Sequence, residues 1–304
     1  MSPGNASPAK RRVGYIGLGD MGRPIACKLL AAGFDLTVCD SNPAMAERLA
    51  AEGARIAATP AEVASDAEIV FACLPAPAIS EDVAYGPHGV VHGSRVKLYI
   101  ENSTIGQASM QRIAAAMQAR GIGMLDAPVS GGPLGAAAGR MSCFVAAADA
   151  DYALAEAVLR GMCDRLFHVG QTPGQSQVLK LANNLLNAAC LTISSEMLAM
   201  AVRAGIEPAL AIDVINASTG RNRATEETIK LQVLTGKYAA GARLDILAKD
   251  VALAIVEAEA LQVSHTAADG VAAVWHAAMQ AGRGKDDLTR IHQFIAAQSR
   301  PLAA

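Results

Sequence analysis

The sequence has few aromatic residues, little charge, and no predominance of either sign. Aromatic residues make up 4% of the 304 residues and charged residues 18%, with 26 Lys and Arg against 28 Asp and Glu. This balance gives no reason to expect a surface for nucleic acid or anionic membranes. Hydrophobic residues make up 52%, which excludes a mainly disordered chain. The length predicts about two domains, large enough to hold a core without disulfides or a structural metal.

Cysteines and membrane signals are also sparse. The six cysteines are scattered, without a C-x-x-C pair, and most lie in apolar segments, which is typical of reduced thiols in a cytoplasmic protein. No unbroken apolar run reaches the length of about 18 residues that a membrane span needs. Residues 1–12 hold prolines and a basic trio instead of the apolar core of a signal peptide. We therefore predict a cytoplasmic protein with a disordered tail over residues 1–12.

Up to residue 171, short apolar runs alternate with helical patterns. The predicted strands are Val13–Gly17, Leu36–Cys39, Glu68–Leu74, Lys97–Ile100, Gly123–Asp126, Ser142–Ala147 and Arg165–Val169. The predicted helices between them are Met21–Ala32, Pro43–Ala51, Gly106–Arg120 and Tyr152–Arg160. This alternation is typical of βαβ units, and it predicts an α/β fold with a Rossmann-type, doubly wound, mostly parallel sheet over residues 13–171.

The pattern changes beyond this region. Residues 175–204 contain neither proline nor glycine, which predicts one long interdomain helix over Gly174–Ala204. Further helical patterns follow at Pro208–Ser218, Ala224–Thr235, Leu244–Leu261, Thr266–Ala281 and Asp287–Gln298. No strand pattern follows Gly170. We therefore predict that residues 172–304 form the interdomain helix and an all-helical C-terminal domain.

A glycine-rich turn follows the first predicted strand. Its six residues are Gly17, Leu18, Gly19, Asp20, Met21 and Gly22. In a G-x-G-x-x-G turn the glycines allow a tight bend, close approach of a pyrophosphate and close packing of helix on strand. The following helix would direct its free N–H groups at the phosphates. The turn therefore predicts a dinucleotide site, against the alternative of a turn without a ligand.

Asp40 ends the second predicted strand, about twenty residues after the glycines. A carboxylate at this position accepts hydrogen bonds from the ribose hydroxyls and repels a 2′-phosphate. The next residues, Ser41 and Asn42, offer no arginine to hold that phosphate. Asp40 therefore favours NAD as the cofactor, with NADP as the less favoured alternative.

Two further segments carry polar chemistry. The segment Asp126–Gly132 reads D-A-P-V-S-G-G, and we expect a glycine-rich turn whose amides and Ser130 hydroxyl suit a small carboxylate. Lys180 and Asn184 lie four residues apart, on one face of the long predicted helix. Taken alone, the segment would more often be a structural turn, and Lys180 would more often be a surface lysine.

Taken together, these segments resemble the β-hydroxyacid dehydrogenase family over about residues 13–298. The family's glycine element, its D-A-P-V-S-G-G loop, its G-x-G-x-x-x-K-x-x-N-N helix and its K-D-L cluster follow in the same order. The last of these reads Lys249-Asp250-Val251. Two departures are Ser176 in place of the second helix glycine and Glu101 in place of a commoner aspartate.

The resemblance implies a role for each matching residue. Lys180 matches the catalytic general acid–base. Ser130, Gly131, Gly132 and Asn184 match the substrate-binding residues. Leu74, Pro75, Thr104 and Lys249, with the six residues of the glycine turn and Asp40, match the cofactor-binding residues. The implied reaction is NAD-dependent interconversion of a small β-hydroxyacid and its semialdehyde or keto form.

The resemblance leaves two other classes of enzyme open. A tartronate semialdehyde or glyoxylate-type reductase is the alternative enzyme, and an imine reductase is a more distant one. His88 and His92 are spaced by four residues, but Pro87 and Gly89 favour a loop, so no metal site is predicted. The apolar helical domain predicts a homodimer or homotetramer, with a small β-hydroxyacid as the other partner.

Overall fold

The structure is a computed structural model that describes residues 11–298. The chain divides into two compact units, Met1–Lys180 and Leu181–Ala304. Most of the predicted tail, residues 1–10, lies outside the described residues. The first strand already begins at Arg12, and the Arg11 guanidinium donates a hydrogen bond to the Leu154 carbonyl.

Within the described part of the first unit, nine strands form one sheet. They are β1 (Arg12–Ile16), β2 (Asp35–Cys39), β3 (Arg55–Ile56), β4 (Ile69–Ala72), β5 (Leu98–Glu101), β6 (Gly123–Asp126), β7 (Val129–Ser130), β8 (Ser142–Ala146) and β9 (Arg165–Gly170). The strand order is β3-β2-β1-β4-β5-β6-β8-β7, and β9 pairs with β8. Pairing is parallel from β3 to β6 and between β8 and β9, whereas β8 runs antiparallel to β6 and β7. The predicted mostly parallel sheet is confirmed.

Helices cover both faces of this sheet. They are α1 (Gly22–Ala31), α2 (Pro43–Ala50), α3 (Pro60–Asp66), α4 (Pro77–Tyr85), α5 (Gln107–Gln118), α6 (Gly132–Ala138) and α7 (Asp149–Met162). Successive residues of β4 point to opposite faces, so Phe71 joins the core with α1 and α7, while Val70 joins the core with α3, α4 and α5. Both faces of the strand are therefore apolar, as a doubly wound parallel sheet requires.

Beyond β9 the described chain is helical. It contains α8 (Gln175–Arg203), α9 (Pro208–Asn216), a π-helix (Ala224–Val233), α10 (Leu244–Ala260), α11 (Thr266–Gln280) and α12 (Ile291–Ala297). Up to residue 298 the structure has no further strand, and an isolated bridge joins Arg243 to Asp287. Trp275 fills the core of this unit, and its indole N–H donates to the Thr192 hydroxyl at 3.0 Å. The predicted long helix and helical C-terminal region are confirmed.

Helix α8 is long and apolar enough, by length and composition, to cross a membrane. The qualifying window has a mean hydropathy of 1.6, and 33% of it is buried within the chain. No unbroken apolar run marks this helix in the sequence, because polar residues such as Asn183 and Asn184 interrupt it. The core helix of a soluble protein passes the same test, so α8 is weak evidence for a membrane span.

Candidate active site

The glycine turn lies at the carboxyl end of β1, as predicted, and α1 begins at Gly22. Gly17 has a φ of +88°, and a Cβ there would come within 2.3 Å of the Cys73 carbonyl oxygen. A Cβ on Gly22 would lie 1.9 Å from the Gly17 carbonyl oxygen. The chain's own backbone therefore requires glycine at both positions.

Gly19 differs from these two glycines, because a Cβ placed there would meet no atom within 4 Å. Gly19 and Asp20 are exposed, Met21 is half-buried, and Leu18 is buried. No side chain caps the start of α1, and its first turn holds no acidic residue. Open space beside Gly19 and an uncapped positive helix end fit a bound pyrophosphate.

The Asp40 carboxylate closes one side of the glycine turn. Its Oδ2 accepts a hydrogen bond from the Leu18 amide at 2.6 Å, and its Oδ1 accepts one from the Asn42 amide at 2.7 Å. The side chain is half-buried. Asp40 therefore holds the turn and the end of β2 together, and it stands where a ribose would meet a carboxylate.

The next two strands contribute the segments that contain Leu74-Pro75 and Ser103-Thr104. The Leu74 amide donates to the Ser103 hydroxyl oxygen at 2.7 Å, so the two segments touch. The Leu74 side chain also borders the glycine turn, because a Cβ on Gly17 would lie 2.9 Å from its Cδ2. The predicted cofactor residues of the first unit thus gather along one sheet edge, as the carboxyl ends of neighbouring parallel strands must.

Glu101 contacts the segment after β5 that contains Ser103. The sequence did not indicate it as a site residue. It is fully buried and accepts hydrogen bonds from the Ser103 amide at 3.0 Å and from the Tyr99 hydroxyl at 2.9 Å. Burial raises the pKa of Glu101 to about 7, although the hydrogen bonds from Ser103, Tyr99 and Ser80 oppose this shift.

The segment around Ser130 corrects one prediction. We expected a glycine-rich turn, but Val129–Ser130 form β7, and helix α6 begins at Gly132. Gly131 has a φ of +146°, which sets the chain direction between the two elements. Left-handed Gly139 ends the helix as its C-cap, and the alanines between these glycines favour helix over an open loop. Gly132 is half-buried, and a Cβ placed there would meet no atom within 4 Å.

Asp126 is the first residue of the D-A-P-V-S-G-G segment, but its carboxylate contacts a different part of the chain. Its fully buried carboxylate binds the start of α8, where Oδ2 accepts hydrogen bonds from the amides of Gly174, Ser176 and Gln177 at 2.8, 3.1 and 3.2 Å. Its Oδ1 accepts a hydrogen bond from the Gln177 side chain at 2.7 Å. Burial raises the pKa of Asp126 to about 6, against the opposing effect of these hydrogen bonds.

Lys180 lies one turn further along α8 and is buried, with 7% of its surface exposed. A lysine buried to this degree is uncommon unless its ammonium group has partners. The exposure is much lower than a surface lysine would have, so the structure argues against the surface-lysine alternative. Asn184 follows one further turn along the same helix.

In the second unit, Asp250 brings together two predicted site residues. It is buried, with 3% of its surface exposed. Its Oδ2 accepts a hydrogen bond from the Asn184 side chain at 2.6 Å, and its Oδ1 pairs with the Lys249 ammonium at 2.7 Å. Asp250 was visible in the sequence only as a neighbour of Lys249. Its burial identifies it as the residue that organises the other two.

Potential metal ligands are not clustered in the part of the chain that the structure describes. Among residues 11–298, no group of three or more His, Cys, Asp or Glu side chains could hold a metal ion. His92 ends a 3₁₀ turn at Val90–His92, and its Nε2 lies 3.1 Å from the Gly86 carbonyl oxygen.

Comparison with known proteins identifies the family. A family profile described as the NAD binding domain of 6-phosphogluconate dehydrogenase matches residues 12–170. A second profile, described as the NAD-binding part of NADP-dependent 3-hydroxyisobutyrate dehydrogenase, matches residues 174–295. The chain belongs to the β-hydroxyacid dehydrogenase family. It is an NAD(P)-dependent hydroxyacid dehydrogenase, and its nicotinamide cofactor is the dinucleotide that the glycine turn predicted.

Three relatives within this family illustrate its range of substrates. The chain is 30% identical to 2-(hydroxymethyl)glutarate dehydrogenase of Eubacterium barkeri, over 92% of this chain and 93% of the relative. It is 34% identical to 3-hydroxyisobutyrate dehydrogenase of Pseudomonas aeruginosa, over 83% and 87%. It is 32% identical to L-threonate dehydrogenase of Cupriavidus necator, over 81% and 82%.

Solved structures agree with this assignment to the β-hydroxyacid dehydrogenases. A 3-hydroxyisobutyrate dehydrogenase from Salmonella typhimurium superposes with a TM-score of 0.83 at 31% identity, covering 94% of this chain and 100% of that one. An imine reductase from Pseudomonas sp. superposes with a TM-score of 0.61 at 20% identity, covering 95% and 100%. The second likeness concerns the fold alone.

Proposed function

We propose that this β-hydroxyacid dehydrogenase interconverts a small β-hydroxyacid of the 3-hydroxyisobutyrate type and its semialdehyde or keto form, with Lys180 as general acid–base. The observation that carries this proposal is the burial of Lys180 next to a helix start that Asp126 and Gln177 fix in place. When bound, NAD would supply the hydride acceptor for oxidation of the carbinol carbon. Lys180 takes the hydroxyl proton at its Nζ, and in reduction it returns that proton to the carbonyl oxygen.

The remaining residues bind and orient the substrate. Ser130, Gly131 and Gly132 would hold the carboxylate, and the open space at Gly132 supports this role because it leaves room for a small anion. Asn184 would orient the substrate through its side-chain amide, and Lys249 would contact cofactor and substrate. Their shared partner, Asp250, supports a coordinated role for these two side chains.

We also propose that NAD is preferred over NADP. The Asp40 carboxylate at the end of β2 would accept the ribose hydroxyls and repel a 2′-phosphate. The uncapped start of α1 and the open space beside Gly19 support pyrophosphate binding there. Leu74, Pro75 and Thr104 would line the same cofactor along the sheet edge, next to the glycine turn.

A tartronate semialdehyde or glyoxylate-type reductase remains the second candidate, because it would use the same lysine and carboxylate loop on a smaller acid. An imine reductase is disfavoured, because the likeness to that class is limited to the fold while Lys180 and the D-A-P-V-S-G-G segment are complete.

The assembly and location are proposals of the same kind. Several large apolar side chains of the second unit are exposed, among them Leu186 at 65% and Met200 at 62%. Burial against a second copy would remove them from water, so we propose a homodimer or homotetramer. We also propose a cytoplasmic location, which the six free cysteines support. We retain the predicted domains, 13–171 for the cofactor and 172–304 for the helical part. Light scattering on the purified chain measures the oligomeric state directly, and a monomer would contradict the assembly proposal.

The main test is Lys180→Ala, assayed with a panel of β-hydroxyacids that includes 3-hydroxyisobutyrate, L-threonate and glycerate. We expect kcat to fall by about 10²–10⁴-fold because the proton transfer loses its general base. NADH binding, followed by fluorescence titration, should be retained.

Lys97→Ala is the matched control, because Lys97 pairs with Glu68 on the surface of the same unit. It should leave kcat near the wild-type value. Normal turnover in Lys180→Ala would contradict the proposed mechanism.

A further inference from the structure

The side chain of Gln177 is fully buried one turn before Lys180 and makes four hydrogen bonds. Its Oε1 accepts from the amides of Ile105 at 2.8 Å and Gly106 at 3.2 Å. Its Nε2 donates to the Ser103 carbonyl at 3.1 Å and to Asp126 Oδ1 at 2.7 Å. A primary amide has two N–H donors and two acceptor lone pairs. Gln177 therefore uses its whole hydrogen-bonding capacity inside the protein.

The partners of Gln177 come from two separate parts of the active-site edge. Three of its bonds reach the segment after β5, which contains Thr104, and one reaches Asp126 at the end of β6. Asp126 in turn accepts hydrogen bonds from three backbone amides at the start of α8. The side chain and the carboxylate together tie the helix start to the ends of two neighbouring strands.

These hydrogen bonds fix the rotation of α8 about its axis at the helix start, and they also fix its position along that axis. Lys180 lies three residues after Gln177, on the same side of the helix and about 4.5 Å further along its axis. A shift of the helix start would therefore move the Lys180 Nζ by a comparable distance. Misplacement of a catalytic group by about 1 Å can lower a rate by about 10²-fold.

We propose that Gln177 is a positioning residue for the reaction, which sets the place of Lys180 relative to the segment that carries Thr104. The proposal rests on the proposed function of Lys180. Gln177 itself touches neither substrate nor cofactor in this assignment. It would affect the reaction by fixing the start of α8 and therefore the position of Lys180. A residue that contributes only to stability would not change the turnover of the folded enzyme.

The decisive variant is Gln177→Glu. A carboxylate would still accept from Ile105 and Gly106, but it could not donate to Ser103, and it would face the Asp126 carboxylate. We expect kcat at about pH 8 to fall by about 10–10²-fold, while the KM for NAD changes by less than about 3-fold. On lowering the pH, the introduced carboxyl group becomes protonated and regains one donor, so the ratio of variant to wild-type kcat should rise.

The pH comparison is made as a ratio to wild type because other titratable groups surround this position. They are Asp126 at the end of β6, Glu101 beside Ser103 at the end of β5, and Lys180 on α8 itself. Gln175→Glu is the matched control. It makes the same change two residues earlier, at an exposed side chain whose Oε1 accepts from the Thr172 amide and can still do so as a carboxylate oxygen. Its kcat ratio should be flat with pH.

A second variant distinguishes a loss of positioning from a loss of folding. In the double variant Asp126→Asn with Gln177→Glu, the amide and the carboxylate exchange places, so an N–H group again lies between the two side chains. We expect this pair to regain at least part of the kcat lost in Gln177→Glu at about pH 8. Thermal melts of all variants separate the folded fraction from the turnover of folded enzyme.

The outcomes distinguish this proposal from the function on which it rests. If Lys180→Ala turns over normally, the proposed function is wrong. If Lys180→Ala is inactive while folded Gln177→Glu keeps wild-type kcat at every pH, Gln177 is structural and the positioning role is overturned. A reduced, pH-dependent kcat in Gln177→Glu that the exchanged pair restores supports it.

Discussion

Two buried aspartates contact the candidate active-site residues of this enzyme, and they do so in different ways. Asp126, in the sheet unit, binds three backbone amides and one side-chain amide, all of them neutral. Asp250, in the helical unit, binds the Lys249 ammonium and the Asn184 side chain. The first carboxylate bonds mainly to a backbone segment, whereas the second bonds to two side chains.

The difference in partners has an energetic consequence. A buried carboxylate among neutral donors is still penalised for its charge, and accordingly burial raises the pKa of Asp126. A buried carboxylate beside a cation has its charge compensated, but loss of either partner leaves the other uncompensated. We therefore expect the two kinds of carboxylate to respond in opposite ways to neutral substitution.

The largest effect in this comparison is expected for Asp250→Asn. The change leaves the Lys249 ammonium beside a neutral amide and releases Asn184 from a charged acceptor. We expect kcat/KM for the hydroxyacid to fall by about 10²-fold, with a loss of stability of about 1–3 kcal/mol. Steady-state kinetics and denaturant unfolding measure the two effects.

Asp245→Asn provides the control on the same helix. Asp245 forms an ion pair with Arg243, whose side chain is 48% exposed, so neutralising it should change kcat/KM little. Equal losses in the two variants would show that Asp250 has no special role in the site.

Glu101→Gln should give an intermediate effect of opposite sign. Glu101, like Asp126, is buried among neutral donors, and its folded pKa of about 7 exceeds the ordinary value of 4.5. Folding therefore favours its protonated form, so the stability it contributes is fully present below about pH 4.5 and is lost as the pH rises through about 7. Above pH 7 the variant should be more stable than wild type by an amount on the order of 3 kcal/mol.

Unfolding midpoints of both proteins between about pH 4 and 8 test this prediction. Glu68→Gln is a control of opposite sign, because the Lys97 ammonium lowers the pKa of the Glu68 carboxyl. A Glu101→Gln variant that is less stable than wild type at high pH would mean that the charged form is favoured at this position.

The smallest effect is expected for Asp40→Ala, because Asp40 is half-buried whereas Asp250 and Glu101 are buried. Removing this carboxylate removes two acceptors for the ribose and the repulsion of a 2′-phosphate. The preference for NAD over NADP, as a ratio of kcat/KM values, should shrink by about 10-fold. Asp40→Asn separates the two causes, since it keeps an acceptor and loses the charge. An unchanged cofactor ratio in both variants would refute the assignment of Asp40.

The sequence predicted the long apolar elements well, because their periodicity is a local property. The strands from β1 to β9 that it predicted lie within a few residues of their expected positions. Helices α3 and α4 were missed, although each begins with a proline, at Pro60 and Pro77, as the predicted helix α2 does at Pro43. Helix α6 was missed because the glycines around its alanines indicate a turn. Strands β3 and β7 were missed because each has two residues, which is too short to show an alternating pattern.

The site residues show the same division between local and distant information. The glycine turn and Asp40 were proposed as site residues from their spacing within one segment, and Lys180 from the motif that resembles the family's helix. Gln177 and Asp126 act through each other over a separation of 51 residues, and Asn184 reaches Asp250 over 66. No spacing rule connects such pairs. The available hint was a polar residue on the apolar face of a helix, which Gln177 provided.

The bonds from Asp126 also bear on how the chain unfolds. The first amides of a helix ordinarily have no acceptor within the helix and open to water most easily. In α8 the amides of Gly174, Ser176 and Gln177 are bonded to a carboxylate 48 to 51 residues earlier in the chain, at the end of a central strand. This end of the helix can therefore fray only when the sheet itself opens, which makes the first turn of α8 part of the sheet's cooperative unit.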